Sequence, residues 1–193
     1  MTVVQDSLAP GLLVAAPSML DPDFAEAVIL LAESSEDGAV GFVLNRASPF
    51  SMKDLAEDLS LALQAHQEGQ AVYRGGPVSP ERGWVLFRGD TLAVTAEDEH
   101  VFSVEGEIRI AATLEVLGKF LQPETEHPFR LLLGYAGWGP GQLEGEIQRG
   151  DWIPMELDEA LVFEGDTAAL WKKALDRLGL HPGAFMVGPG GKA

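Results

Sequence analysis

The chain has 193 residues, 46% of them hydrophobic, and 30 acidic side chains against 13 basic ones give a net charge of −17. The acid is spread evenly, −9 over residues 1–70 and −8 over residues 71–193, so neither half conceals a basic face for a nucleic-acid backbone. There is no cysteine, which excludes disulfides, thiol catalysis and cysteine-ligated zinc.

Residues 1–10 read as a lead without the basic start of a signal peptide. The longest apolar run, Ala27–Ala32, is far shorter than a membrane span. A cytoplasmic protein that makes no membrane contact is the expectation. Gly11–Ala16 reads as a strand ending at Pro17. Asp21 and Pro22 give a brief helix-start turn. Ala27–Ala32 and Ala39–Asn45 read as strands joined into a hairpin by the Glu36–Gly38 turn. Ser51 and Asp54 form a weak capping box, and Leu55, Leu59 and Leu63 recur at four-residue spacing, predicting a helix with one buried face. Ala71–Arg74 is a strand broken at Gly75–Pro77. A turn at Pro80–Gly83 leads into a strand over Trp84–Phe87. Gly89–Asp98 has no defined pattern.

His100–Val104 and Glu107–Ile110 suit a hairpin about Gly106. Leu114, Leu117 and Leu121 predict a helix over residues 111–121. Phe129–Ala136 is a buried strand, after which Pro140 opens a helix carrying Leu143 and Ile147. Trp152–Ile153 and Leu161–Phe163 read as short strands. Leu170, Ala174 and Leu178 mark a last helix ending at Gly179, and residues 182–193 read as a mobile tail. Strands in runs with a few inserted helices predict an α+β fold in one domain over residues 11–181.

Common catalytic motifs are absent. His66, His100, His127 and His181 have no metal spacing, and no Gly-x-Ser-x-Gly elbow, P-loop or dinucleotide fingerprint occurs. No metal or cofactor is expected. What remains is a set of shaped loops. Leu133–Ile147 is a strand, a glycine-rich turn and a helix. Its Gly139 and Gly141 amides suit either an anion at a helix N-terminus, with Trp138 as a wall, or a tight connection that needs small residues. Gln142 and Glu146 share a helix face, whereas Glu144 and Glu146 diverge. Arg74, Gly75, Gly76 and Arg82 could meet an anion or form an ordinary turn with exposed arginines. Asn45 and Arg46 are either a polar pair at a cleft or a strand terminus. Trp84, Trp138, Trp152 and Trp171 offer stacking surfaces or core anchors.

In order and spacing, Gly11–Pro17, Asp21–Phe24, Gly38–Gly41 with Asn45, Gly75–Val78, Arg82–Trp84, Leu133–Trp138, Gly141–Glu144, Glu146–Ile147 and Trp152 resemble the YqgE/AlgH family of bacterial proteins over about residues 8–180. The resemblance implies a curved, barrel-like sheet, antiparallel or mixed, flanked by helices. It brings no verified catalytic residue, and it matches the family's recurring positions at Asn45, Arg82, Tyr135, Trp138 and Gln142. Some members carry the label of transcriptional regulator, linked to alginate control. The charge of −17 opposes direct DNA contact by such a regulator.

Three readings follow. The first is a binding module for an unknown small molecule or protein partner, with an indirect regulatory role. The second is an enzyme using Glu146, Arg82 and Asn45 as acid/base or anion-orienting groups. The third, a direct DNA-binding regulator, ranks last. The oligomeric state is open.

Overall fold

The first apolar run forms the strand β1 (Gly11–Ala15) in a computed structural model that describes residues 8–89, 101–112, 114–122 and 128–180. The other strands are β2 (Val28–Ser35), β3 (Gly38–Val43), β4 (Ala47–Ser51), β5 (Ala71–Arg74), β6 (Val78–Arg88), β7 (Val101–Ser103), β8 (Ile108–Ala111), β9 (Phe129–Trp138) and β10 (Trp152–Met155). The helices are α1 (Met52–Asp58), α2 (Leu114–Phe120), α3 (Gln142–Arg149), α4 (Glu159–Val162) and α5 (Leu170–Arg177). The strand order is β10-β1-β2-β3-β9-β6-β8-β7, with β5 pairing β9 and β4 pairing β5. Among the described strands only β5 and β9 run parallel. The sheet is mixed and open, and helices flank it in a single α+β domain, so the expected fold class holds.

Period-two alternation divides the apolar residues between the faces. Leu12, Val14, Val28 and Leu30 join Leu86, Ile108, Ile110 and Leu132 on one face, under Leu161 and Val162 of α4 and Leu170, Trp171 and Leu175 of α5. Leu13, Ala15, Ile29, Leu31 and Val43 point the other way and pack with Trp138, Trp152 and Leu143 of α3. Further along that second face, Val72, Val85, Phe87 and Leu131 pack under Met52 of α1 and Val116, Leu117 and Phe120 of α2.

The sheet turns a corner at the middle of β9. The N-terminal half of β9 lies between β5 and β6, whereas its last residues pair with β3. Gly134 makes the kink with φ +70°, a conformation that costs a side-chain-bearing residue. Gly75 bridges the corner: its N–H donates to the Leu133 carbonyl at 2.7 Å, and its carbonyl accepts from the Val43 N–H at 2.8 Å. A Cβ on Gly75 would stand 2.3 Å from the Gly134 oxygen, and one on Gly76 would stand 2.1 Å from the Tyr135 carbonyl carbon. These two glycines let three backbones touch.

Several expectations change. Pro80–Gly83 is not a turn before a strand but a bulge within β6: Val78 pairs with Tyr135 and Gly83 with Leu133, so the intervening residues swell outward. Leu161–Phe163 belongs to α4 and its end, not to a strand, because Asp158 caps the turn by accepting from the Ala160 and Leu161 amides. The β4 strand was not foreseen. The helix opened by Ser51 stops at Asp58 and carries Glu57 and Asp58 at the helix end where carboxylates are disfavoured. Leu59 is consequently 40% exposed and Leu63 packs from a loop. Leu117 of α2 and Leu121 just past its end are buried, but Leu114 is 57% exposed. α3 begins at Gln142, after Pro140. Outside the described residues lie 90–98 of the undefined segment, the tail 182–193, and His100, His127 and His181.

The capping box is formed: Asp54 N–H donates to Ser51 Oγ at 3.2 Å, and Ser51 N–H donates to Asp54 Oδ2 at 2.7 Å. The Ser51 hydroxyl, then its amide, hold the Asp54 carboxyl below the ordinary aspartate range. A carboxyl lowered on folding adds stability that is complete above the unfolded pKa, about 3.9, and is lost as pH falls through the lower folded value. Ser51→Ala is expected to return the Asp54 titration, followed by carboxyl NMR, toward the ordinary range. An unshifted titration would show that another group sets it.

Candidate functional site

The β6 bulge throws Arg82 out of the ladder and over the face that carries α4 and α5. Its guanidinium carbon lies 4.6 Å from the Trp84 ring centroid. Trp84 meets Phe42 edge-on at 5.1 Å and Tyr135 at 6.2 Å. Together these residues line a cavity of about 330 Å³, bounded also by Ile110 of β8 and Ser103 of β7. That volume is at the lower end for a small-molecule site. Two features are chemically unspent. Among the described residues Arg82 has no hydrogen bond or ion pair, only the Trp84 ring. Trp84 Nε1 is buried without a hydrogen-bond partner. A buried donor left unpaired costs about 1–3 kcal/mol, so an acceptor delivered to it gains more than one bound at the surface. Glu33, exposed, also lines the cavity and works against multiply charged anions.

A second polar group lies on the opposite face. Trp138 Nε1 and Trp152 Nε1 donate to the same Glu146 oxygen, Oε2, at 2.8 and 2.9 Å. Gln142 Nε2 donates to Oε1 at 2.9 Å, and Gln142 Oε1 accepts from the Gly139 amide at 3.1 Å. The two indoles meet edge-on at 6.0 Å and are nearly buried. Both Glu146 oxygens and the Gln142 oxygen are therefore engaged, clamping α3 to the ends of β9 and β10. Gly141, with φ +69° and open space where a Cβ would stand, caps the start of α3.

A third group gathers around residues 21–27. Asn45 Nδ2 donates to the Glu26 carbonyl at 2.8 Å and Asn45 Oδ1 accepts from the Val28 amide at 3.0 Å. Arg46 donates to the Pro22 and Ala25 carbonyls at 2.9 and 2.8 Å. Arg74 approaches the Asp23 carboxylate at 3.6 Å. The Phe24 ring of this loop packs edge-on against Trp152 at 5.6 Å, linking the loop to the Glu146 clamp.

The sequence-derived candidates thus fall into separate surroundings. Arg82 and Tyr135 share the cavity. Trp138, Gly139, Gly141, Gln142 and Glu146 surround the α3 clamp. Asn45, Arg46 and Arg74 hold the 21–27 loop, and Gly75 and Gly76 cross β9. Glu146, Arg82 and Asn45 make no hydrogen bond to one another among the described residues, so no acid/base pair is assembled from them. Phe42 and Ser103 line the cavity without any signal in the sequence, and Trp84 is foreseen only as a stacking surface or core anchor. Trp84 carried a usable signal, standing two residues after Arg82 and so on the same side of an extended strand. Among the described residues no group of three or more His, Asp or Glu side chains could hold a metal ion. None of the described helices is long and apolar enough to cross a membrane.

Residues 12–183 match the family described as AlgH-like, DUF179. A UPF0301 protein of Anaeromyxobacter sp. (strain Fw109-5) is 43% identical over 190 residues, covering 95% of this chain and 94% of its own. A UPF0301 protein of Myxococcus xanthus is 39% identical over 184 residues, covering 95% and 98%. Among solved structures, the AlgH protein of Pseudomonas aeruginosa in solution superposes with a TM-score of 0.75 at 29% identity over 100% of both chains. A crystal structure of a Corynebacterium diphtheriae protein gives 0.69 at 28% identity, covering 88% and 86%.

Proposed function

The chain belongs to the AlgH-like family, and since the names of these relatives state no reaction, we propose from the site itself that it is a binding module for a small, flat organic anion. The observation that carries this reading is the unpaired Arg82 guanidinium and the partnerless Trp84 N–H on one cavity walled by Phe42 and Tyr135. The aromatic walls suit an apolar ring, Arg82 an anionic group, and Trp84 Nε1 an acceptor. Glu33 and the net charge of −17 favour a single negative charge on the ligand. The reading includes a cytoplasmic location and an indirect regulatory role, in which occupancy is passed to a protein partner rather than to DNA. Arg82 supports that route, because it also lines a neighbouring apolar groove with Leu59 and Leu114.

Titration with 2-naphthoate, followed on the indole N–H resonances of the four tryptophans, tests the site. The Trp84 signal, assigned by Trp84→Phe, is expected to move saturably while those of Trp138 and Trp152 stay in place. Arg82→Ala should weaken the probe about tenfold, or about 1.4 kcal/mol. Absence of a selective Trp84 shift overturns the proposal.

A further inference from the structure

Arg130 sits in β9 with 7% exposure, one of two buried polar or charged side chains among the described residues. Of its five N–H groups, one donates to the Leu44 carbonyl at 3.0 Å and another to the Glu164 carbonyl. Its guanidinium carbon lies 5.5 Å from the Tyr73 ring centroid. No carboxylate stands within ion-pair distance among the described residues: the Glu164 carboxylate is engaged by Lys173 Nζ at 3.1 Å. The Lys173 contact, first, and the Asp166 amide hold that carboxyl below the ordinary range, so it stays ionised and committed. Burial pushes the Arg130 pKa down, and Tyr73 and the charge of Glu164 offset only part of that.

Carbonyl dipoles compensate a buried cation incompletely, and buried charges in proteins are ordinarily paired. An arginine placed inside with no carboxylate partner among the described residues is a specific arrangement. It also faces space. A cavity of about 170 Å³ opens beside it, lined by Gln70, Tyr73, Phe129, Arg130, Phe163 and Glu164. Among the described residues, Glu164 and Lys173 pair with each other beside it.

We propose that this cavity binds a small oxyanion, phosphate or the phosphate head of a small ester, seated against Arg130 and Tyr73. The unspent guanidinium N–H groups supply charge-assisted donors, and the Tyr73 hydroxyl supplies a neutral one. The cavity admits the oxyanion and leaves an ester's remainder outside. This site shares no lining residue with the Arg82 cavity, so either can fail without the other.

The test is titration of the whole protein with inorganic phosphate and, in parallel, phenyl phosphate, read by the amide shift of Gly165 and by 31P line width. Sodium chloride at equal ionic strength is the control. A saturable one-to-one response absent in chloride is expected. A tighter inorganic arm identifies free phosphate as the occupant and a tighter phenyl arm an ester. Arg130→Lys should weaken binding at least tenfold. Because Arg130 also holds two backbone carbonyls, that variant lowers stability too. Tyr73→Phe keeps the ring beneath the guanidinium and should weaken binding severalfold with the fold intact. A response matched by chloride, or one unchanged in Tyr73→Phe and in folded Arg130→Lys, overturns the proposal.

Discussion

Gly76→Ala is expected to yield no cooperatively folded protein. The added Cβ would lie 2.1 Å from the Tyr135 carbonyl carbon, 2.2 Å from its oxygen and 2.4 Å from the Ala136 nitrogen. All three are backbone atoms of β9, so no rotamer change relieves the overlap. Relief requires β9 to move, and β9 is the strand that β3, β5 and β6 all pair with. A loss above about 4 kcal/mol places this among the exceptional substitutions, against a whole-domain stability of about 5–15 kcal/mol. Gly141→Ala is the matched control. Its φ of +69° disfavours alanine, but nothing lies within 4 Å of the new atom, so the cost is about 1–2 kcal/mol. Circular dichroism melts of the two variants separate a crossing of backbones from a local conformational preference. A Gly76→Ala melt within a few degrees of the parent would refute the crossing.

The same glycines explain what was legible in the sequence. Strand identity was readable wherever apolar residues ran together: Gly11–Ala15, Val28–Leu31 and Phe129–Ala136 are strands because both faces of the sheet are covered, which demands unbroken apolar runs. The capping box was readable because it is local. Gly75 and Gly76 were visible as glycines, but their reason lies about sixty residues away at Gly134. Nothing local distinguishes a ligand loop from a place where backbones meet. The two alternatives for that loop, an anion contact or an ordinary turn with exposed arginines, both leave out what the two glycines do, which is to let three backbones come into close contact. α4 was misread because Leu161–Phe163 is apolar in a strand-like run, while the decisive group, Asp158, stands before it. Arg82 and Tyr135 come together through a bulge in one strand pairing with a kinked neighbour. Sequence spacing contains neither.

Glu146→Ala is expected to destabilise the protein by about 3 kcal/mol, because it leaves the N–H groups of two nearly buried tryptophans, Trp138 at 7% and Trp152 at 2% exposure, without an acceptor. For a chain of this size that corresponds to a melting temperature lower by roughly 6–12 °C. Glu146→Gln should cost about 1 kcal/mol. Its amide oxygen can still receive the indoles, but its NH₂ would then face Gln142 Nε2, which now donates to Oε1. Gln142 cannot turn its amide over without giving up the Gly139 amide. A double-mutant cycle isolates the clamp: with Trp152→Phe already in place, Glu146→Ala should cost less, by about 1 kcal/mol or more, because one stranded donor has gone. A carboxylate held for reactivity rather than for the fold would behave in the opposite way, since its replacement commonly costs little stability. Urea denaturation of the four proteins in the cycle decides between them. Equal stability of the parent and Glu146→Ala would remove the clamp and return Glu146 to the list of acid/base candidates.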